Sequence, residues 1–374
     1  MNKNILITGG AGFIGTVLTK MLLNIGYKVT ILDNLDPQIH GEEPSIDFIK
    51  ANTNFILGDV RNEKDVEKAL NGNNYVVHLA AQTGTGQSMY NVKEYTDVNC
   101  IGTSILMESI MKSELAVKKV IVASSRAVYG EGKYTSNEMD FHYPTSRKDA
   151  DLLSKIFNPV NEKTGVELKE VATDQDSKIK PVSVYVLSKY YQEELVKINC
   201  LAMGIPFVAL RFQNVYGAGQ SLKNPYTGIL SIFSTLILKD QKINIFEDGL
   251  ESRDFIYVDD ICDSIILALE NEKANNQIYN VGSGIQTSVL EVVTELSTAY
   301  SKNADYFISG NYRVGDIRHN FADISKIKSD LNFIPKIELK EGINRLAQWV
   351  LTQELSEIGY QKSLDEMKAK KLYK

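Results

Sequence analysis

The run Ile5-Leu6-Ile7-Thr8-Gly9-Gly10-Ala11-Gly12-Phe13-Ile14-Gly15 reads as three elements in succession. A short apolar stretch of β type forms a strand, glycines form a tight turn, and the periodic apolar residues Val17, Leu18, Met21 and Leu22 open a helix. Glycines let a backbone approach a pyrophosphate closely, and a helix N-terminus offers that anion its unsatisfied N–H groups. Gly9, Gly12 and Gly15, with Phe13 and Ile14, are therefore candidate dinucleotide-binding residues. A glycine turn is weak evidence alone, since an unliganded turn has the same composition. Asp33 strengthens it: with Asn34 beside it, it ends a second strand run, Val29 to Leu32, placed to accept from an adenosine ribose 2'-hydroxyl. A carboxylate there repels a 2'-phosphate, so NAD is expected rather than NADP.

Outward from this turn, apolar runs at Phe55 to Leu57, Tyr75 to Leu79 and Val120 to Ala123 alternate with segments of helical period, as in βαβ units on a parallel sheet. Residues 131–182 are polar, with Pro144, Pro159 and Pro181 and no clear period, and read as an insertion or flap. Beyond Arg211, helices are expected from near Asp259, Thr287 and Asp323, with a short strand at Lys242 to Phe246. The expected fold is α/β: a Rossmann-type doubly wound parallel sheet over residues 1–210, a smaller C-terminal α/β substrate lobe mainly over 211–360 with some segments returning to the Rossmann domain, and a charged, frayed tail over 361–374.

A composition of 43% hydrophobic and 24% charged residues is that of a globular chain. No apolar run approaches the roughly 20 residues that span a bilayer, and Met1 to Asn4 lead straight into the first strand without a secretory pattern, so no membrane span and a cytoplasmic protein are expected. Net charge −6 argues against nucleic-acid binding. Cys100, Cys200 and Cys262 lie too far apart in sequence for a disulfide framework or a metal site, and read as buried thiols.

Tyr185 and Lys189 are four apart at the start of a helical pattern, hence on one face, where an ammonium favours phenolate over phenol. Tyr129 and Lys133 share that spacing, but Gly130 and Gly132 between them indicate a loop. Ser124 and Ser125 end the Val120 strand, and in a doubly wound sheet strand C-termini line the ligand crevice. Either serine alone has the alternative role of capping a turn.

Together with Asp59, His78-Leu79-Ala80-Ala81 and Asn99, these residues resemble the extended short-chain dehydrogenase/reductase family, whose members modify nucleotide-linked sugars. The resemblance implies that Tyr185 is the acid–base residue, that Ser125 bonds the sugar hydroxyl, and that Lys189 also holds the nicotinamide ribose. It places Asp59, Val60, Leu79, Ala80, Ala81, Gln82, Asn99, Ser124 and Phe212 around NAD. Arg211 to Gly217, Ser252 to Asp260 and Arg313 to Asp316 continue the match, and imply Asn214, Arg253 and Arg313 at a substrate diphosphate. Guanidinium forks suit phosphate oxygens, although each arginine has a domain-docking salt bridge as its plainer reading.

Dehydratases of this family carry an acidic pair after the catalytic hydroxyl, whereas Ser125 is followed by Arg126-Ala127, which disfavours dehydration. Gln82 to Tyr90, then Ser124 to Gly132 and Gly219 to Gly228 are most similar to NAD-dependent dTDP-L-rhamnose 4-epimerases, which make dTDP-6-deoxy-L-talose, and the resemblance adds Ser88 and Arg126 as expected substrate-binding residues. Those enzymes oxidise the sugar at C4, turn the keto sugar over and return the hydride to its other face. Alternatives are a 4-keto-6-deoxy sugar reductase, a UDP-hexose 4-epimerase and a non-catalytic NAD sensor. A homodimer is implied, pairing the helix from about Ser88 to Lys112 with the Tyr185 helix across a two-fold axis. Phe246 stands either near the base or, more simply, in the core.

Overall fold

The computed structural model describes residues 3–41, 44–113, 117–137, 140–222, 224, 228–355 and 359–374. Met1, Asn2 and, within the Gly219 to Gly228 match, Lys223, Pro225, Tyr226 and Thr227 lie outside the described residues. Seven strands build one sheet: β1 (Asn4–Thr8), β2 (Lys28–Asp33), β3 (Asn54–Leu57), β4 (Tyr75–His78), β5 (Lys119–Ser125), β6 (Phe207–Phe212) and β7 (Gln277–Val281). Their spatial order is β7-β6-β5-β4-β1-β2-β3, and every neighbouring pair is parallel. Each connection must therefore cross a face of the sheet.

Helices α1 (Phe13–Asn24), α2 (Gly102–Lys112), α3 (Val184–Met203) and α4 (Val258–Glu270) lie on four of the six crossings, and the shorter helices Asp47–Asn52 and Glu63–Leu70 lie on the connections from β2 to β3 and from β3 to β4. Strand alternation divides the core accordingly. Ile5, Ile7, Ile31, Ile121, Val208 and Leu210 pack with α1 and α4, while Leu6, Leu32, Val120, Val122, Phe207 and Ala209 pack with α2 and α3. Burial on both faces is why these strands read as unbroken apolar runs. The chain reverses direction across the sheet between β1 and β4, so a crevice opens at their C-terminal ends. Helix α3 begins where the Ser183 hydroxyl caps the Val186 N–H at 3.3 Å and ends at Gly204 in the left-handed region.

Beyond the sheet, Asn214–Tyr216 pairs with Phe255–Tyr257, Ile243–Ile245 with Tyr306–Ile308, and Ser252–Arg253 lies between Thr287–Ser288 and His319–Asn320. Among the described residues no helix is long and apolar enough to cross a membrane.

Four local expectations need correction. The insertion is no loose flap: Tyr134–Asn137, Asp140–His142 and Lys169–Glu170 form an antiparallel sheet. The buried side chain of Arg147 pairs with Glu131 within the insertion at 3.2 Å and ties it to the lobe through Glu247 at 2.7 Å. The tail is not frayed, because Leu364 and Met367 give it one apolar face on a helix, α5 (Tyr360–Ala369), after which the backbone pairs with Tyr312. The helix expected from Ser88 is interrupted, with a wide π-helical turn at Thr96–Ile101 leading into α2. Cys200 and Cys262 are buried but Cys100 is half-buried.

Candidate active site

A cavity of about 1260 Å³ follows the crevice from the glycine turn into the small lobe. It exceeds the roughly 300–1,000 Å³ typical of one small-molecule site, leaving room for two ligands side by side. At one end the glycines are sterically required. Gly9 has φ +70°, and a Cβ there would stand 2.8 Å from the Ala80 backbone; one on Gly15 would stand 2.6 Å from the Gly10 Cα. Gly12 starts α1 without a side-chain cap, so the N–H groups of the first turn, at Phe13, Ile14 and Gly15, have no intrahelical partner where they line the cavity.

Asp33 and Asn34 line the same end. The Asp33 carboxylate accepts from the Ala11 N–H at 3.0 Å and the Leu35 N–H at 2.9 Å, which fixes its orientation and leaves acceptor sites for ribose hydroxyls. Asp59 accepts from Asn34 at 3.0 Å and from two nitrogens of Arg61 at 2.9 and 2.8 Å. Burial disfavours its charge, but the Arg61 bonds outweigh that and hold the carboxyl below its ordinary range. Val60, Leu79, Ala80, Ala81 and Gln82 complete this wall, and Phe212 lies further along it. Asn99 does not line the cavity. Its side chain clamps the Gln82 backbone, accepting from the N–H at 2.7 Å and donating to the carbonyl at 3.1 Å.

Ser125, at the end of β5, hydrogen-bonds the Tyr185 phenol and also accepts from the Ala127 N–H at 3.2 Å. Burial raises the phenol above its ordinary value, while the Ser125 bond and the Arg126 guanidinium pull it partly back. Tyr95 supports the ring edge-to-face at 6.4 Å between centroids. Ser124 turns away from the cavity, because successive strand residues face opposite sides of a sheet. Its hydroxyl donates to Glu193 at 2.5 Å.

Lys189 was expected to act on Tyr185 directly. Its buried ammonium instead donates to Gln192 at 2.8 Å, the acceptor one helical turn away, and burial pushes its pKa down to about 7. Gln192 is held in turn by the Thr103 hydroxyl at 2.9 Å. Ser88 is another departure: its hydroxyl donates to the Thr85 carbonyl at 2.6 Å, and Thr85, Gly86 and Met89 line the cavity in its place.

At the far end Arg126, Asn214, Arg253 and Arg313 all line the cavity. Arg126 donates to Asn214 at 3.2 Å, Arg253 to the carbonyls of Ser252, Ile317 and Arg318, and Arg313 to Asp316 at 2.8 Å. Burial, with the Arg253 charge adding to it, depresses the Arg126 guanidinium to about 9, so an anion bound between them would relieve both costs. Phe246 lines the cavity beneath Arg313 rather than filling the core. Sequence reading missed Tyr95, Gln192 and Glu193. The last two follow Lys189 by three and four residues, a helix-face signal present in the sequence.

The comparisons agree with this geometry. The model of the NAD dependent epimerase/dehydratase family matches residues 5–149 and 155–282. The dTDP-L-rhamnose 4-epimerase of Burkholderia thailandensis is 35% identical over 94% of this chain and 96% of its own. A crystal structure of the Bacillus cereus UDP-glucuronic acid 4-epimerase with UDP-glucuronic acid and NAD gives a TM-score of 0.75 at 27% identity, covering 93% of this chain and 99% of that one. The Methanobrevibacter ruminantium UDP-N-acetylglucosamine 4-epimerase in complex with UDP-N-acetylmuramic acid gives 0.74 at 29%, covering 94% and 99%. With a glycine turn and a carboxylate that fit NAD, a serine–tyrosine pair beside them, and a family match over most of its length, the chain belongs to the NAD-dependent epimerase/dehydratase family.

Proposed function

We propose that the protein inverts C4 of a nucleotide-diphosphate sugar, and that this sugar is dTDP-L-rhamnose, giving dTDP-6-deoxy-L-talose. The observation that carries the reading is one cavity holding the Ser125–Tyr185 pair between the glycine turn and the three arginines. The rhamnose assignment is supported by the Burkholderia relative, and epimerisation over dehydration by Arg126-Ala127, which follow Ser125 in place of an acidic pair. NAD, held at Gly9 to Gly15 and Asp33, supplies the hydride acceptor and donor. Tyr185, as phenolate, takes the proton of the C4 hydroxyl that Ser125 holds. Arg126, Arg253 and Arg313 grip the diphosphate, about whose bonds the keto sugar turns to show its other face. Tyr185 then returns the proton to the inverted alcohol.

The test is an NMR assay of purified protein with dTDP-L-rhamnose and no added cofactor. A new anomeric signal from the C4 epimer is expected, with NAD retained through the cycle. No signal, even after NAD is added, would transfer the reading to a UDP-hexose, or to a reductase that releases its cofactor.

A two-fold homodimer is part of the proposal. Leu187, Tyr191, Ile198 and Leu201 leave an apolar stripe exposed along α3, and Met111 on the packed neighbour α2 and Ile101 just before it extend the exposed apolar surface. A stripe of this kind calls for a partner, and a second copy offers the matching surface. Sedimentation should give about twice the chain mass of 41.8 kDa; a monomer at micromolar concentration would refute the dimer.

A further inference from the structure

The last sixteen residues form a wall of the cavity that neither the cofactor turn nor the catalytic pair explains. Tyr360, Ser363 and Met367 of α5, and Leu372 after it, line the cavity, and the Met367 sulfur lies 3.0 Å from where a Cβ on Gly86 would stand. Tyr373 packs on Phe246 with centroids 5.2 Å apart, and Arg313 covers the Phe246 ring at 5.3 Å. The Tyr373 hydroxyl accepts from the side-chain amides of Asn244 at 2.9 Å and Asn311 at 2.8 Å.

Apart from the docked Leu364 and Met367 and the Tyr373 ring, this segment is attached by polar contacts. Its end pairs with the Tyr312 backbone through two hydrogen bonds of 2.8 and 3.0 Å, Leu372 accepts from the Val314 N–H at 2.9 Å, and Lys374 pairs with Asp149 of the insertion. Its charge is opposite to that of the whole: residues 359–374 hold five lysines and two acids in a chain of net charge −6. These lysines are exposed outside the cavity, so they add a long-range field that attracts an anionic ligand, while Tyr360, Ser363, Met367 and Leu372 face it.

We propose that residues 359–374 are a strap that opens to admit a nucleoside diphosphate group and closes over it, with Tyr360 and Met367 meeting the ligand and Tyr373 fixing Phe246. The proposal rests on the reading of the cavity as a nucleotide-diphosphate site. The probe is dTDP, with UDP as comparison, on the intact chain. Lys368, Lys370 and Lys371 are exposed trypsin sites within the strap. If cleavage proceeds through the open form, saturating dTDP should slow it about tenfold at these lysines. In calorimetry Tyr373→Ala should weaken dTDP binding about tenfold with NAD content and melting temperature unchanged. Unchanged cleavage together with an affinity within twofold would overturn the strap and leave the nucleotide site standing. Failure of the intact chain to bind either dTDP or UDP would overturn both.

Discussion

Replacing Tyr185 with phenylalanine should lower turnover by about 10²- to 10⁴-fold, the range set by a positioned acid–base group, without loss of bound NAD. The change removes one oxygen and keeps the ring, so the edge-to-face packing on Tyr95 survives. Ser125 loses the phenol but still accepts from the Ala127 N–H at 3.2 Å. The glycine turn, between β1 and the first turn of α1, and Asp33, at the end of β2, are untouched. Measured on dTDP-L-rhamnose, with NAD released by denaturation and quantified, the variant should be full of cofactor and nearly inert. Turnover within tenfold of the parent protein would remove Tyr185 from the chemistry.

The second large effect falls on stability. Arg211 and Glu193 are both buried and paired, with the Arg211 Nε and one terminal nitrogen donating at 3.0 and 2.5 Å. Arg211 also donates to the Tyr129 hydroxyl at 2.7 Å and the Gln175 carbonyl at 2.9 Å, joining β6 to the start of the insertion and to its end. In Arg211→Met the Glu193 carboxylate keeps only the Ser124 hydroxyl. An uncompensated buried charge costs about 3–5 kcal/mol, and the double variant Arg211→Met, Glu193→Met should recover much of it. Denaturant unfolding of the three variants with Glu193→Met alone closes the cycle; an Arg211→Met loss under about 1 kcal/mol would place the pair in effective contact with water.

Local patterns were readable in the sequence where short-range physics sets them. The glycine turn is demanded by backbone approach, the carboxylate of Asp33 by the end of its strand, and the Tyr185 face by helical period. What escaped was tertiary. Of Ser124 and Ser125, period two says only that they oppose each other; which one meets the cavity depends on which helix covers each face. Asn99 reaches Gln82 from a π-helical turn, whose spacing departs from 3.6 residues. Glu131, Arg147, Glu247 and Arg318 look like surface charges until residues 71 and 100 positions apart are brought together. The lysines of the tail masked the two apolar positions, Leu364 and Met367, that dock it.

The parallel neighbours β5 and β6 are separated in sequence by residues 126–206, including the whole insertion and α3. While the chain is being synthesised or refolded, strands β1 to β5 can collapse first, leaving the β5 edge, from Lys119 to Ser125, without its partner. Closing so long a loop delays the pairing, and high contact order of this kind makes folding slow. An apolar, unpaired edge exposed over that interval is a template for wrong partners. Yield on refolding should therefore be governed by competition between arrival of β6 and association between chains, and should fall as protein concentration rises.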